Sequence, residues 1–189
     1  MDPVAFRLGH LSGAPRMARV LKAAVEKSGW VPKPPPARDG VGVALGEDAG
    51  TCVATIAEVK LDRETGEIRV TRVVCAQDMG MVVSPEGALQ QLEGCVTMGL
   101  GYTLGEELSF EAGKIDTRNF PAYRIPRFSW VPRIEGVILP SSDLPPQGGG
   151  EPAIVTVGAA VANAVCGLTG ARLTQLPMTA ERVKAALPT

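Results

Sequence analysis

Three short stretches of this chain carry residue types that can do chemistry. The first is Gly148-Gly149-Gly150-Glu151-Pro152, which closes the loop PSSDLPPQGGGE over 140–151. Three consecutive glycines can take backbone angles closed to other residues and let a ligand reach main-chain N–H groups. Glu151 then stands at a helix start whose direction Pro152 fixes, and the positive end of the helix dipole favours an ionised carboxylate suited to work as a base. The plainer reading is an N-terminal acid after a flexible loop. No G-K-[ST] follows, so the loop is not a phosphate cradle of the P-loop kind. The second stretch is Gln90-Gln91-Leu92-Glu93-Gly94, inside a glycine-studded helical run. Its amides offer donors and an acceptor to a heterocycle edge, or form an ordinary exposed polar face. The third is Ala76-Gln77-Asp78-Met79-Gly80, directly after a strand, where Asp78 reads as a turn acid before it reads as a catalyst.

Other chemistry is excluded by what the chain lacks. His10 is the only histidine, and Cys52, Cys75, Cys95 and Cys166 contain no C-x-x-C pair. A structural zinc site or a Cys-ligated iron–sulfur cluster is therefore not expected here. Any Ser-His or Cys-His machinery would depend on His10, which lies in a helical stretch near the amino end. The thiols read as buried small hydrophobes in a reducing setting. Nineteen Lys+Arg against twenty Asp+Glu give a net charge of −1, against the basic face that nucleic acid requires. No run of eighteen uninterrupted apolar residues points to a membrane span, and no charged-then-apolar leader is visible. The chain as given is expected in the cytoplasm, with a periplasmic location requiring a partner or a preceding leader.

The elements that position these stretches follow from pattern. At 189 residues the chain makes one domain or two small subdomains. It is 45% apolar but only 4% aromatic, so the core must be built from Val, Ala, Leu and Ile. Residues 1–30 read as a helical segment, with Asp2-Pro3 starting one helix and Pro15 a second over Arg16–Ser28. VPKPPPARDG opens a Pro/Gly-rich connector over 31–50. Cys52–Leu61 and Glu67–Ala76 alternate around the turn DRETG and read as a half-buried hairpin. Ser84-Pro85-Glu86 starts a long helix running through Leu104. Gly87, Gly94, Gly99 and Gly101 each cost that helix about 1 kcal/mol, which implies close approach by a neighbouring element or a ligand. A short hairpin over Leu108–Ile115, a strand over Ile134–Leu139, a helix over Ala159–Leu168 ended by Gly170, and a last helix over Thr179–Leu187 complete the 51–189 region. The mixed order of helices and antiparallel strands gives an α+β fold.

Taken together, QDMG, then SPEGALQQLEG with MGLG behind it, then GGGEPA followed by AAVANAV resemble one known arrangement. It is the carboxyl-terminal region of the large, molybdenum-binding subunit of molybdenum hydroxylases, the xanthine dehydrogenase and aldehyde oxidase family. The nearest branch is that of the isoquinoline 1-oxidoreductase beta subunit. MDPVAFRLGHL, NFPAYRIP and LTQLPMTAERV add support, and the resemblance covers nearly the whole chain through order and spacing.

The resemblance implies an α+β molybdopterin-binding domain that hydroxylates an N-heterocycle or an aldehyde with water as the oxygen source. Glu151 matches the family's general base on the molybdenum-bound hydroxide. Gln91 matches the glutamine that approaches the pterin, and Gly150 the glycine whose backbone lies beside the metal. No residue here matches a metal ligand. The implied cofactor is molybdopterin with molybdenum, in its cytosine dinucleotide form, shared with the rest of the molybdenum subunit or a partner chain. Iron–sulfur clusters belong to a separate [2Fe-2S] subunit. Family subunits are several times longer, so the chain reads as a fragment or short subunit, inactive alone and prone to self-association as a homo-oligomer. After Glu-Pro it reads AIVTVG, departing from the proline-containing stretch of its nearest branch. Two other readings stand beside this one. One is a non-catalytic binding or assembly module that has kept the fold. The other is a carboxylate hydrolase pairing Glu151 with Asp143 or Asp78.

Overall fold

Two helices open the chain, each beginning where a proline suits the first turn. The computed structural model describes residues 1–32, 40–141 and 143–188, so 33–39 of the expected 31–50 connector lie outside the described residues. Asp2 caps α1 (Pro3–Gly9), its carboxylate accepting from the N–H groups of Val4 and Ala5 at 3.0 and 2.9 Å. α2 (Pro15–Ser28) ends at Gly29, whose φ of 71° suits glycine.

The second half of the stretch read as connector is a strand. β1 (Val41–Asp48) pairs antiparallel with β2 (Thr51–Leu61), which pairs antiparallel with β3 (Ile68–Asp78). A register shift between Glu58 and Val59 sets Val59 opposite Val70 and Leu61 opposite Ile68, while Ile56 faces Val74. After β3 the chain crosses over through α3 (Pro85–Leu104) and returns as β6 (Arg133–Ile138) beside β3. The crossover makes β6 parallel, so the four-stranded sheet, ordered β1-β2-β3-β6, is mixed where only antiparallel strands were expected. Between α3 and β6 lie the two-residue strands β4 (Phe110–Glu111) and β5 (Lys114–Ile115), followed by single 3₁₀ turns at Phe120–Ala122 and Phe128–Trp130. The remaining helices are α4 (Val157–Thr169), closed by Gly170 at φ 80°, and α5 (Ala180–Ala186), capped by Thr179.

Helices cover both faces of the sheet, so the expected half-buried hairpin is in fact buried on both sides. Val20, Leu21 and Ala24 of α2, with Val4 of α1, pack on Val43, Ala54, Ile56 and Ala76. On the opposite face Leu92, Val96 and Leu100 of α3 and Ala160, Val161, Ala164 and Val165 of α4 pack on Val53, Ala57, Val73 and Cys75. Burying each Val or Leu contributes about 1.5–3 kcal/mol. Small side chains let the layers approach closely. A Cβ on Gly42 of β1 would strike the backbone of Ala160 and Ala164, which explains why that strand carries a glycine. Pro152–Thr169 is apolar enough to cross a membrane by length and composition, at mean hydropathy 1.6, but half of it is buried within this core. It reads as a core helix.

Candidate functional site

The three stretches with chemical potential meet at one end of the sheet, and each is placed by identifiable bonds. α3 starts where Ser84 caps it, the hydroxyl accepting from the Gly87 N–H at 3.3 Å, with Pro85 in the first turn. From there Gln91, Cys95 and Tyr102 recur on one side of the helix. They meet residues 150–154 in order. A Cβ on Gly150 would sit 3.3 Å from the Gln91 Nε2. The Cys95 thiol donates to the Gly150 carbonyl at 2.8 Å and lies 3.5 Å from that of Glu151. The Tyr102 hydroxyl donates to the Ile154 carbonyl at 2.7 Å. Burial pushes the Cys95 thiol up, helped by the charge of Glu151 and opposed by the N–H groups of Ile154 and Ala153, and so keeps it a donor. Burial also raises Tyr102. Further along α3, Gly99 faces Val157 of α4, so a neighbouring element explains that glycine. Gly94 faces open space.

The glycine loop is held from below by the other two turns. The Gln147 N–H donates to the Met79 carbonyl at 2.9 Å, and the Met81 N–H to the Leu144 carbonyl at 3.0 Å. The β1–β2 turn contributes the Ala49 carbonyl, which accepts from the Gly148 N–H at 3.0 Å, and Thr51, whose hydroxyl donates to the Gly148 carbonyl at 2.5 Å. Gly148, Gly149 and Gly150 are not among the positive-φ residues, so backbone angle is not the reason for them. At Gly148 space is the reason, since a Cβ there would lie 2.5 Å from that of Ala49, whereas Gly149 and Gly150 meet only the ends of the Met79 and Gln91 side chains.

Glu151 is exposed at the head of a 3₁₀ turn, Pro152–Thr156, that leads into α4, and its carboxylate makes no capping bond. Gln91 and Gly150 are likewise exposed, so the pairing of amide, open backbone and carboxylate faces solvent. The turn acid behaves differently. Asp78 is fully buried and accepts from Arg16 Nε at 3.2 Å and Arg19 Nη2 at 2.6 Å, both on α2. Burial alone would push its carboxyl up, but bonds from Arg16 and the Gly80 N–H, with both arginine charges, hold it below the usual carboxylate range. Its carboxylate is thus engaged by Arg16, Arg19 and the Gly80 N–H, which fits a structural acid and not one half of a hydrolase pair with Glu151. Asp143 is exposed in the loop, and His10 packs at a tilt against Phe6 of α1, 4.6 Å between ring centroids. Among the described residues no group of three or more His, Cys, Asp or Glu could hold a metal ion.

Sequence reasoning passed over Cys95, Tyr102 and Thr51, which fix the backbone around Glu151. Cys95 stands one helical turn after Gln91, the one signal that could have joined it to the site.

The residues fit a flat, polar ring system of the pterin type. Gly94 presents open helix backbone, Gly150 presents loop backbone with the Gln91 amide beside it, and the Gln77 Oε1 beneath is buried without a partner among the described residues. Comparison with known proteins bears on the family and the fold. The model of the molybdopterin cofactor-binding domain matches residues 24–132. A nicotinate dehydrogenase subunit of Pseudomonas putida is 39% identical over 99% of this chain, and the beta subunit of isoquinoline 1-oxidoreductase from Brevundimonas diminuta 36% over 94%. The chain spans 17% and 23% of those two proteins. Among solved structures, the aldehyde oxidoreductase of Desulfovibrio desulfuricans superposes with TM-score 0.64 at 25% identity, over 73% of this chain and 16% of that one. Quinoline 2-oxidoreductase of Pseudomonas putida 86 superposes with TM-score 0.62 at 26% identity, over 73% and 19%.

Proposed function

This chain belongs to the molybdopterin cofactor-binding domains of the xanthine dehydrogenase and aldehyde oxidase family, and from that premise we propose that it supplies the base-bearing wall of a molybdenum hydroxylase site. The observation that carries the proposal is the convergence of Gln91, Gly150 and Glu151 where α3 meets the glycine loop.

Bound molybdopterin, in the cytosine dinucleotide form, would supply the two-electron oxidation at an electron-poor carbon, with water as the source of oxygen. Gln91 offers its amide, and Gly150 its main chain, to the edge of the pterin. Glu151 accepts, at a carboxylate oxygen, the proton released as oxygen passes to the substrate. Its backbone is held from α3 by Cys95 and Tyr102, which leaves the carboxylate to turn toward the reacting atoms. The substrate class is an N-heteroaromatic ring or an aldehyde, in keeping with the names of the relatives. Electrons leave through iron–sulfur clusters on a partner subunit. The remaining wall lies in the rest of the molybdenum subunit, so the chain by itself does not turn over.

The test is a full-length chimera in which this chain replaces the matching segment of the P. putida nicotinate dehydrogenase subunit, assembled with that enzyme's partner. Glu151→Gln should lower turnover by about a hundredfold or more at unchanged molybdenum content. Full activity in that variant would favour the non-catalytic module instead.

A further inference from the structure

The chain spends its few large rings outside its own core. It has four Phe, two Trp and two Tyr. Five of these eight lie on the arm between α3 and β6, namely Phe110, Phe120, Tyr123, Phe128 and Trp130. Phe120 and Phe128 are 95% and 99% exposed, and Phe110 is 74% exposed. Leu108, Ile115 and Ile125 of the same arm are also exposed. From Leu104 through Glu151 no described residue is buried.

The arm is not simply loose chain. Tyr123 donates to Glu106 at 2.7 Å, and the ring of Pro126 lies against Gly101 of α3. Beneath it a cleft of about 570 Å³ opens between Arg124 and Trp130 on one side and Arg69, Leu104 and Met178 on the other. The arm is thus fixed at its root and lifted off the body, with its aromatic faces outward. That is the composition of an interface core and not of a solvated loop.

We infer that this arm is a docking element for the part of a molybdenum-binding subunit that the chain does not contain, against a face that is apolar with an acidic rim. The inference rests on the proposed function. Three observations choose this occupant. The nicotinate dehydrogenase and isoquinoline oxidoreductase relatives are about four to six times longer than the segment they share with this chain, so most of such a subunit is available to cover the arm. An aromatic side chain buries about 150–250 Å², so the three exposed phenylalanines with their aliphatic neighbours approach the roughly 800 Å² one partner gives to a stable interface. From Gly105 to Pro132 the arm carries Lys114, Arg118, Arg124 and Arg127 against Glu106, Glu107, Glu111 and Asp116, but Glu106 and Glu107 are held at its root by Tyr123 and Arg182, so the stretch beyond Gly113 is basic. A second copy meeting it about a two-fold axis would set these like charges together.

Chymotrypsin reads the arm directly, because it cuts after exposed Phe and Tyr. In the chain alone, cleavage should come first after Phe110 and Phe128, since Pro121 closes the bond after Phe120 to the protease. In the chimera with nicotinate dehydrogenase, those cuts should be at least about tenfold slower. Equal cleavage in a chimera that retains molybdenum overturns the docking inference and leaves the proposed function standing, whereas protection without molybdenum does the reverse. Protection in the chain alone at high concentration, with doubled mass by light scattering, assigns the arm to a second copy and overturns the inference as well. Phe120→Ser combined with Phe128→Ser should leave the Tm of the chain alone within about 1 °C, as for surface positions that bury nothing. A fall of several degrees would mean these rings pack in the chain's own core, and the inference fails.

Discussion

Asp78→Asn tests the architecture under the glycine loop, because it keeps the shape of the side chain and removes only its charge. The carboxylate accepts from Arg16 Nε at 3.2 Å, Arg16 Nη2 at 3.3 Å, Arg19 Nη2 at 2.6 Å and the Gly80 N–H at 3.2 Å. An amide retains one acceptor oxygen and points its NH₂ at guanidinium donors. Removing one partner of a buried pair costs about 3–5 kcal/mol when the other charge stays buried. Arg16 and Arg19 are 31% and 44% exposed and can rehydrate, so the expected loss is about 2–3 kcal/mol. For a chain of this size that lowers Tm by roughly 5–10 °C. The folded-state carboxyl is held below its ordinary value. Its contribution is therefore complete above the unfolded-state carboxylate range near pH 4 and is lost as pH falls through the folded value. Urea melts of wild type and variant should differ fully at pH 7 and converge in acid. Equal stability at pH 7, or a gap that persists unchanged in acid where both still fold, would refute the ion-pair account.

The other expectations concern glycines and thiols. Gly42→Ala drives a Cβ into the backbone of Ala160 and Ala164 and should cost at least about 3 kcal/mol, seen as a lowered Tm or lost soluble yield. Gly94→Ala meets only open space, so it should raise the stability of α3 by about 0.5–1 kcal/mol in a urea melt. If that helix backbone faces the pterin, the same change should lower molybdenum retention in the assembled chimera. With Ellman's reagent at pH 8, the half-buried Cys166 should react first. Cys75, pushed up to about 12 by burial, should stay silent until the chain unfolds.

Helix starts were legible because they are local: Asp2-Pro3, Pro15 and Ser84-Pro85 each place a cap or an N1 proline within two residues of an observed boundary. The β2–β3 turn was legible for the same reason, with Gly66 at φ 83°. β1 was not, since VGVALGED gives little alternation and Gly42 is a glycine only because α4 lies across it. Burial of both faces of β2 was hidden likewise, because a run of small apolar residues looks the same under one layer of helices or two. At the site, residue types and order along the chain brought forward Glu151, Gln91 and Gly150 as candidates, of which the structure sets Gln91 beside Gly150; of the two reasons expected for the three glycines, the unusual backbone angle is not taken by any of them. Asp78 is the turn acid its place suggested, accepting from the Gly80 N–H at 3.2 Å, but its ion pairs were hidden, because Arg16 and Arg19 stand about sixty residues earlier. Contacts of that range leave no trace in local spacing.

The way Glu151 is held bears on how such a site tolerates change. Each of the bonds that fix this segment goes to main chain: the thiol of Cys95 to Gly150, the hydroxyl of Tyr102 to Ile154, and Thr51 and Ala49 to Gly148. The carboxylate itself takes no part in capping its turn. Position and chemistry are therefore assigned to different atoms. On the proposed role of Glu151, replacing its side chain should remove the base without moving the loop, whereas replacing Cys95 or Tyr102 should move the loop and leave the carboxylate chemically intact. Cys95→Ser and Cys95→Ala separate these effects, because serine keeps a donor toward the Gly150 carbonyl and alanine leaves that carbonyl without one. A donor that matters only for position is rescued by serine, and its loss shows as a misplaced Glu151 and not as an altered proton acceptor.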